Sequence, residues 1–384
     1  MKTPILAILG LSLLVSTAHA SLIIPSDGSD GAFAPIANVQ VDLSQAVTGA
    51  WDTNNSANAG FGIYDPSRWA VVFKFASVSI PAGVTVTFKN HPTHAPVVWL
   101  VSGNVTIDGV LKLDGANGLI GIDGIVNPEP GPGGFRGGAA GPDGCGAGLG
   151  PGGGSSSQSA SYRTVYGNPQ LLPLIGGSGA GGQSNQTSGS GGGGAILIAA
   201  ADTIAVAGTI SAKNGNAAGE YGADRGSGGA IKLIAEQVLG AGTLDALTEG
   251  RVRIETPLLA TTLITYPETV AVPPSAPPVI WPPANAPTVR IVSIDGIAAP
   301  ADPMAPMQAS ADVVIQNNSP VAIVIATTNF PIEGVVQLRI ARKFSVSQLL
   351  TAAYVSGDLN AATWSVSTTL TDGFSGMQAR ATSP

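Results

Sequence analysis

The sequence predicts an all-β protein: a parallel β-helix (solenoid) with a glycine-rich insertion, followed by an Ig/fibronectin-like β-sandwich. Two observations predict the first part. A glycine followed by an alternating apolar strand is written four times, as PAGVTVTF at 81–88, IDGVLKLD at 107–114, VAGTISAK at 206–213 and GAGTLDAL at 240–247. The last three each follow another short apolar run: VVWLV at 97–101, AILIAA at 195–200 and AIKLIA at 230–235. One strand–turn–strand unit cannot bury its own apolar face, so a chain that repeats it builds a stack. A third observation predicts the second part: past a proline-dense strip, short alternating strands recur between turn residues.

Residues 1–20 read as an export leader. Lys2 supplies the positive start, Ile5 to Val15 form a short apolar run, and Ala18-His19-Ala20 offers a small-x-small cleavage site. An uncleaved anchor is the competing reading, but the run is short for a bilayer span. No cysteine follows it to suggest a lipid anchor, and no later segment is long and apolar enough to cross a membrane. The expectation is a protein that is secreted, on the cell surface or in the outer envelope. Cleavage removes one lysine and no acid, which moves the formal charge from −7 to −8. No basic stripe is present, so nucleic acid is not an expected partner. The single cysteine, Cys145, has no partner in the chain; packing and hydrogen bonds must hold the fold together.

Residues 21–266 carry the repeat. Gly83, Gly109, Gly208 and Gly242 hold one place before each strand, which suits a corner at positive φ or a close approach of stacked backbone. Apolar residues alternate around them: Val84, Val86 and Phe88; Val110, Leu111 and Leu113; Ile196 and Ile198; Ile231 and Leu233; Val252 and Ile254. Ile231 to Val252 is 21 residues, which suits one rung of a three-sided solenoid at about seven residues per side. Longer spacings between the glycines imply insertions at corners. A meandering antiparallel sandwich would also alternate, but it would not return the glycine to one place in each unit.

The insertion at 115–194 is dominated by glycine with serine, proline and asparagine. Two readings stay open: a floppy loop, or glycine-rich extended segments lying against the solenoid and packed by backbone contacts. The island YRTVYGNPQLLPLI, with Tyr162 and Tyr166, could pin it down. Residues 267–287 should run as an extended proline-rich linker. Within 288–384 the predicted strands are 288–294, 311–316, 321–329, 335–342, 363–370 and 377–382, with 346–355 the best candidate for a helix.

DGSDGAF at 27–33, VVWLVSGNVTIDGVLKLDG at 97–115, SGGGGAILIAA at 190–200, GRVRIET at 250–256 and PTVRIVSIDGIAAPADP at 287–303 resemble a family of glycine-rich exported bacterial proteins. The resemblance covers nearly the whole chain after the leader. It implies a β-helix-like surface protein ending in a β-sandwich tail, and it implies no activity, because its motifs are turns and strands.

Chemistry is sparse. Carbohydrate cleavage would need two carboxylates on one cleft, or a base beside cations; Asp108, Asp114 and Asp123 with Lys112 are the candidates. The wet side of an alternating strand and Asp-Gly turns explain the same residues. His91 and His94 lie in a proline-interrupted connector, NHPTHAP, short of a full ligand set. Asp27, Ser29 and Asp30 in DGSDG put oxygens on a flexed loop that suits calcium, against a plain N-terminal turn. Trp51, Tyr64 and Trp69, beside Asn54 and Asn55, could contact a glycan, against core or end-cap packing. Outward threonines that could face ice or mineral, such as Thr85, Thr87 and Thr209, are too few. Composition therefore points to a structural or adhesive exported protein without catalysis, with cell-surface or extracellular polysaccharide or other surface proteins as partners. The alternative is a polysaccharide-binding or polysaccharide-degrading β-helix.

Overall fold

A computed structural model describes residues 22–121, 125–141, 144–154, 166–183, 187–216, 218, 226–247, 249–307 and 310–384. The leader, Asp123 and Tyr162 fall outside these residues. The protein is all-β, and its first part is built from parallel sheets. Complete passes of the chain run 70–89, 97–112, 195–211, 230–245 and 251–266, and each adds one strand to each of three sheets.

Sheet I takes Ala32–Phe33, Ser77–Ile80, Val105–Ile107, Thr203–Val206, Gln237–Gly240 and Leu258–Thr261. Sheet II takes Val39–Asp42, Thr85–Lys89, Val110–Lys112, Thr209–Ser211, Thr243–Asp245 and Ile264–Tyr266. Sheet III takes Ala70–Phe75, Val97–Val101, Ala195–Ala200, Ala230–Ile234 and Arg251–Glu255. At its N-terminal edge Ile63–Asp65 pairs antiparallel and Val47–Thr48 follows.

The strands after the four repeated glycines are parallel neighbours in sheet II. Val110 stands opposite both Thr85 and Thr209, and Thr209 opposite Thr243. Ile231 stands opposite Val252, so the 21-residue interval is one register step. Close approach explains three of these glycines. A Cβ on Gly109 would lie 2.3 Å from the Val84 oxygen, one on Gly208 would lie 1.9 Å from the Gly109 oxygen, and one on Gly242 would lie 2.3 Å from the Gly208 oxygen. Gly83 alone among the four sits at positive φ, +83°.

The alternating residues meet in one interior. Phe73, Trp99, Ile107, Leu111, Ile198 and Leu233 belong to a single buried cluster that runs along all three sheets. Sheet III is buried on its other face as well, which is why its strands read as unbroken apolar runs. Val72, Val98, Leu197 and Ala199 are covered there by Ile24, Leu171, Leu174 and Ile280. Ile280 comes from the proline-dense strip. That strip leaves the last pass by pairing Val272 with Glu255, then runs back toward the N-terminal segment that precedes the first pass, where Trp281 packs on Trp51 with ring centroids 5.5 Å apart. It is packed against the sheet there, with Lys232 donating to the Val279 carbonyl and Ile280 buried.

The described parts of the glycine-rich insertion form a bundle of extended segments bonded backbone to backbone. Phe135 donates to Gly177, Gly177 to Gly193 and Gly193 to Ser227, while Gly138 donates to Ala180 and Ala180 to Ser190. Of the two open readings, backbone packing is the one these contacts realise. Side chains are absent where segments touch: a Cβ on Gly179 would fall 2.0 Å from the Arg136 oxygen.

Residues 288–384 form two antiparallel sheets. One orders Ile297–Ala298, Thr288–Ile294, Val321–Thr328, Ala362–Thr368 and Ala353–Gly357; the other orders Gln348–Thr351, Val335–Arg342 and Ser375–Thr382. They share a buried cluster that includes Ile323, Ile325, Leu338, Ile340 and Trp364. Two expectations need correction. Residues 346–355 contain strands and no helix, because each pairs with a neighbouring strand: Leu350 faces Leu338, and Tyr354 faces Trp364. Residues 311–316 form no strand; Asp312 spends its carboxylate on the backbone N–H groups of Met304 and Ala305.

This region is docked on the glycine bundle. Arg339 donates to the carbonyls of Gly148 and Gly153, and Ala147 and Leu149 pack with Met307 and Ala341.

Candidate functional site

The three aromatic candidates do not make an exposed row. Tyr64 is 2% exposed, so its ring offers no face to a sugar. It stacks on His91 with centroids 4.0 Å apart and donates its hydroxyl to Asp302 Oδ1 at 2.9 Å. Burial, together with Asp302, pushes its hydroxyl up to about 12. Trp51 is half-buried under Trp281. Trp69 is half-buried against the interior and donates Nε1–H to the Thr93 carbonyl at 3.1 Å. Packing claims all three.

Both aspartates of the DGSDG loop are engaged by the protein's own donors. Asp30 is buried, and it accepts from Asn55 Nδ2 at 2.7 Å, from the Gly60 N–H at 3.0 Å and from the Lys74 N–H at 2.7 Å. Asp27 accepts from the Ser29 N–H at 3.0 Å, from Asn54 at 3.1 Å and from Lys74 Nζ at 3.3 Å. Burial alone would raise the Asp27 carboxyl, but the Ser29 and Lys74 hydrogen bonds hold it down at about 2. Of the residues read as calcium ligands, Asp27 meets the Lys74 ammonium and Asp30 meets only N–H donors. Among the described residues no group of three or more His, Cys, Asp or Glu is placed to hold a metal. Asp30→Ala would strip the Lys74 and Gly60 N–H groups of this acceptor, leave Asn55 with the Asn58 carbonyl alone, and should cost about 2–4 kcal/mol in thermal unfolding. Calcium or a chelator should leave the wild-type midpoint unchanged.

Of the carboxylates considered for catalysis, Asp114 is paired with a lysine, as are two acids not singled out in the sequence, Asp42 and Asp245. Asp42 pairs with Lys89 at 2.8 Å, Asp114 with Lys112 at 3.7 Å and Ser211 at 2.5 Å, and Asp245 with Lys213 at 3.4 Å. The Asp42–Lys89 and Asp245–Lys213 pairs join neighbouring passes and Lys112–Asp114 lies within one; exposed pairs of this kind are worth roughly 0.2–1 kcal/mol each. Asp108 is exposed in its turn before Gly109. Cys145 lies in the small hairpin Ala140–Gly141/Gly144–Cys145, where burial pushes its thiol up and away from the reactive thiolate.

The densest convergence of polar groups was not legible in the sequence. His91 Nδ1 lies 2.8 Å from the Thr93 hydroxyl and accepts the Thr93 N–H at 3.3 Å. His94 Nε2 is 2.9 Å from Glu129 Oε2. Arg136 holds the other oxygen of Glu129 at 2.6 Å and donates to the carbonyls of Ala305 and Pro306 at 2.7 and 2.6 Å. Burial opposes ionisation of Glu129, yet His94 and Arg136 bring its carboxyl down to about 2. With Tyr64 and Asp302 this network joins the histidine connector, the glycine bundle and the start of the antiparallel region. Nothing local in the sequence signals it, since its members are separated by up to 238 residues. Elsewhere, a hollow of about 590 Å³ opens beyond the last strands, lined mainly by apolar residues such as Ile254, Leu259, Leu263 and Ile264.

No family model, no curated protein and no solved structure matches the chain.

Proposed function

We propose that the protein is an exported structural or adhesive component of the cell surface, envelope or extracellular matrix, built as a parallel β-helix with a β-sandwich strapped back along its flank. One observation carries the reading: every pass repeats the same three parallel strands, and the charged side chains on the open flank neutralise one another in pairs. A rod of this kind offers a long, stiff, wet surface with its acids already engaged, which suits adhesion better than proton transfer. The resemblance to glycine-rich exported bacterial proteins points the same way.

The charged strip of sheet II favours a second reading, a polysaccharide-binding or polysaccharide-degrading β-helix. Cell fractionation combined with a screen for binding to whole cells and polysaccharides separates the two. The first reading expects the protein in the envelope or medium, bound to cells, with no new ends appearing in any polysaccharide tested. Release of unsaturated or reducing ends that depends on Asp114 or Asp245 would replace it with the second. Recovery only in the cytoplasm would end both.

A further inference from the structure

We propose that the contact between the parallel region and residues 302–306 is an acid-sensitive latch whose sensor is His91. The latch has two arms. Tyr64 holds Asp302, and Arg136 holds the carbonyls of Ala305 and Pro306. Both arms are set by one short turn, 91–94. Tyr64 is stacked face to face on the His91 ring. Arg136 is positioned through Glu129, which His94 holds from the other side, and the His94 carbonyl also accepts the Gly133 N–H at 2.7 Å.

The turn is closed by His91 acting as an acceptor. Its Nδ1 takes the Thr93 N–H, and its carbonyl takes the His94 N–H at 2.8 Å. A proton on Nδ1 has an acceptor in the Thr93 hydroxyl at 2.8 Å but sets two N–H donors against each other at the Thr93 amide, so that amide bond requires an unprotonated Nδ1. Burial opposes protonation further and holds the imidazole below its ordinary value of 6.5. Asp302, on the far side of Tyr64, pulls the other way, while His94 on the same connector reinforces the burial; the downward direction prevails.

The sign follows by linkage. A base whose pKa is depressed when docked is protonated more readily when undocked, so docking weakens as pH falls below about 6.5. Opening should rise by up to about tenfold per pH unit, levelling off once the docked pKa is passed. The sandwich keeps its other anchors, Arg339 and the Leu149 contact, so acid should free the 302–306 segment first.

Hydrogen exchange on the full chain tests this, with wild type, His91→Asn and His94→Gln compared at the same pH, near 7.5 and near 5. Asparagine keeps an acceptor two residues before the Thr93 N–H and does not titrate. Wild type should lose protection at Thr93, His94 and Gly133 on acidification, and His91→Asn should keep it. His94→Gln should retain the acid response. An equal response in wild type and His91→Asn, or a response abolished by His94→Gln, would overturn the assignment. If His91→Asn is unprotected even near pH 7.5, His91→Gln is read in its place. Exchange rates for that variant that equal wild type at both pH values would also overturn it.

Discussion

Gly208→Ala should destabilise the parallel region by more than about 3 kcal/mol, or abolish soluble expression. The new methyl would stand 1.9 Å from the Gly109 oxygen, which itself accepts the Thr209 N–H at 2.9 Å. Neighbouring strands lie about 4.8 Å apart, and every strand of sheet II is in register, so the backbone cannot move aside without opening the ladder on both sides. Overpacking of this kind belongs to the severe end of point-mutant effects. Gly83→Ala is the control. Gly83 sits at φ +83° with nothing within 4 Å, so alanine there meets only left-handed strain, roughly 1–2 kcal/mol. Thermal or denaturant unfolding of both variants decides the point. If Gly83→Ala proves the more damaging, turn conformation rather than stacking explains the repeated glycine.

Lys232→Met should cost about 3–5 kcal/mol and loosen the proline strap. Lys232 is 1% exposed on the outer face of sheet III. Its ammonium pairs with Glu255 Oε1 at 3.2 Å and donates to the Gln170 carbonyl at 3.0 Å and the Val279 carbonyl at 3.2 Å. Burial holds it below its ordinary range, while Glu255 opposes that. Methionine fills the volume but leaves the buried Glu255 carboxylate with Arg253 alone and strips two carbonyls of their donor. The double variant Lys232→Met/Glu255→Leu removes the orphaned charge and should recover about half of the loss or more. The measurement is unfolding free energy together with hydrogen exchange over 276–282. Unchanged protection of the strap in Lys232→Met would show that Ile280 and Trp281 suffice to hold it.

Much of the architecture was readable because it is periodic. The register step from Ile231 to Val252 follows from spacing, and the shared sheet of Gly83, Gly109, Gly208 and Gly242 from the one place each holds before its strand. The strands at 288–294 and 335–342 match their apolar alternation to the residue. Reading failed where a local pattern has a distant competitor. AlaAspValValIleGln at 311–316 alternates like a strand, yet Asp312 is recruited by Met304 and Ala305. Tyr64 and Trp69 resemble exposed rings beside polar neighbours, but each is claimed by a partner elsewhere: Asp302 for one, Thr93 for the other.

The candidate site was less legible than the fold, for the same reason. Asp27 looks short of a cation until folding brings it the Lys74 ammonium, 47 residues on, while Asp30 is met by the N–H groups of Asn55, Gly60 and Lys74. Glu129 and Arg136 look like strays in a glycine tract; only the tract's path brings them between His94 and Pro306.

The order of residues alone settled which side chains face inward and that successive passes must cover one another, since alternation and repeat length are local properties of a strand. Folding in three dimensions decided which buried charge meets which, that the prolines lie down as a strap, and that glycine packs against glycine, because those outcomes depend on where remote segments cross. The glycine column is the hinge of it all: a structure able to carry a methyl at Gly208 would not be the one described above.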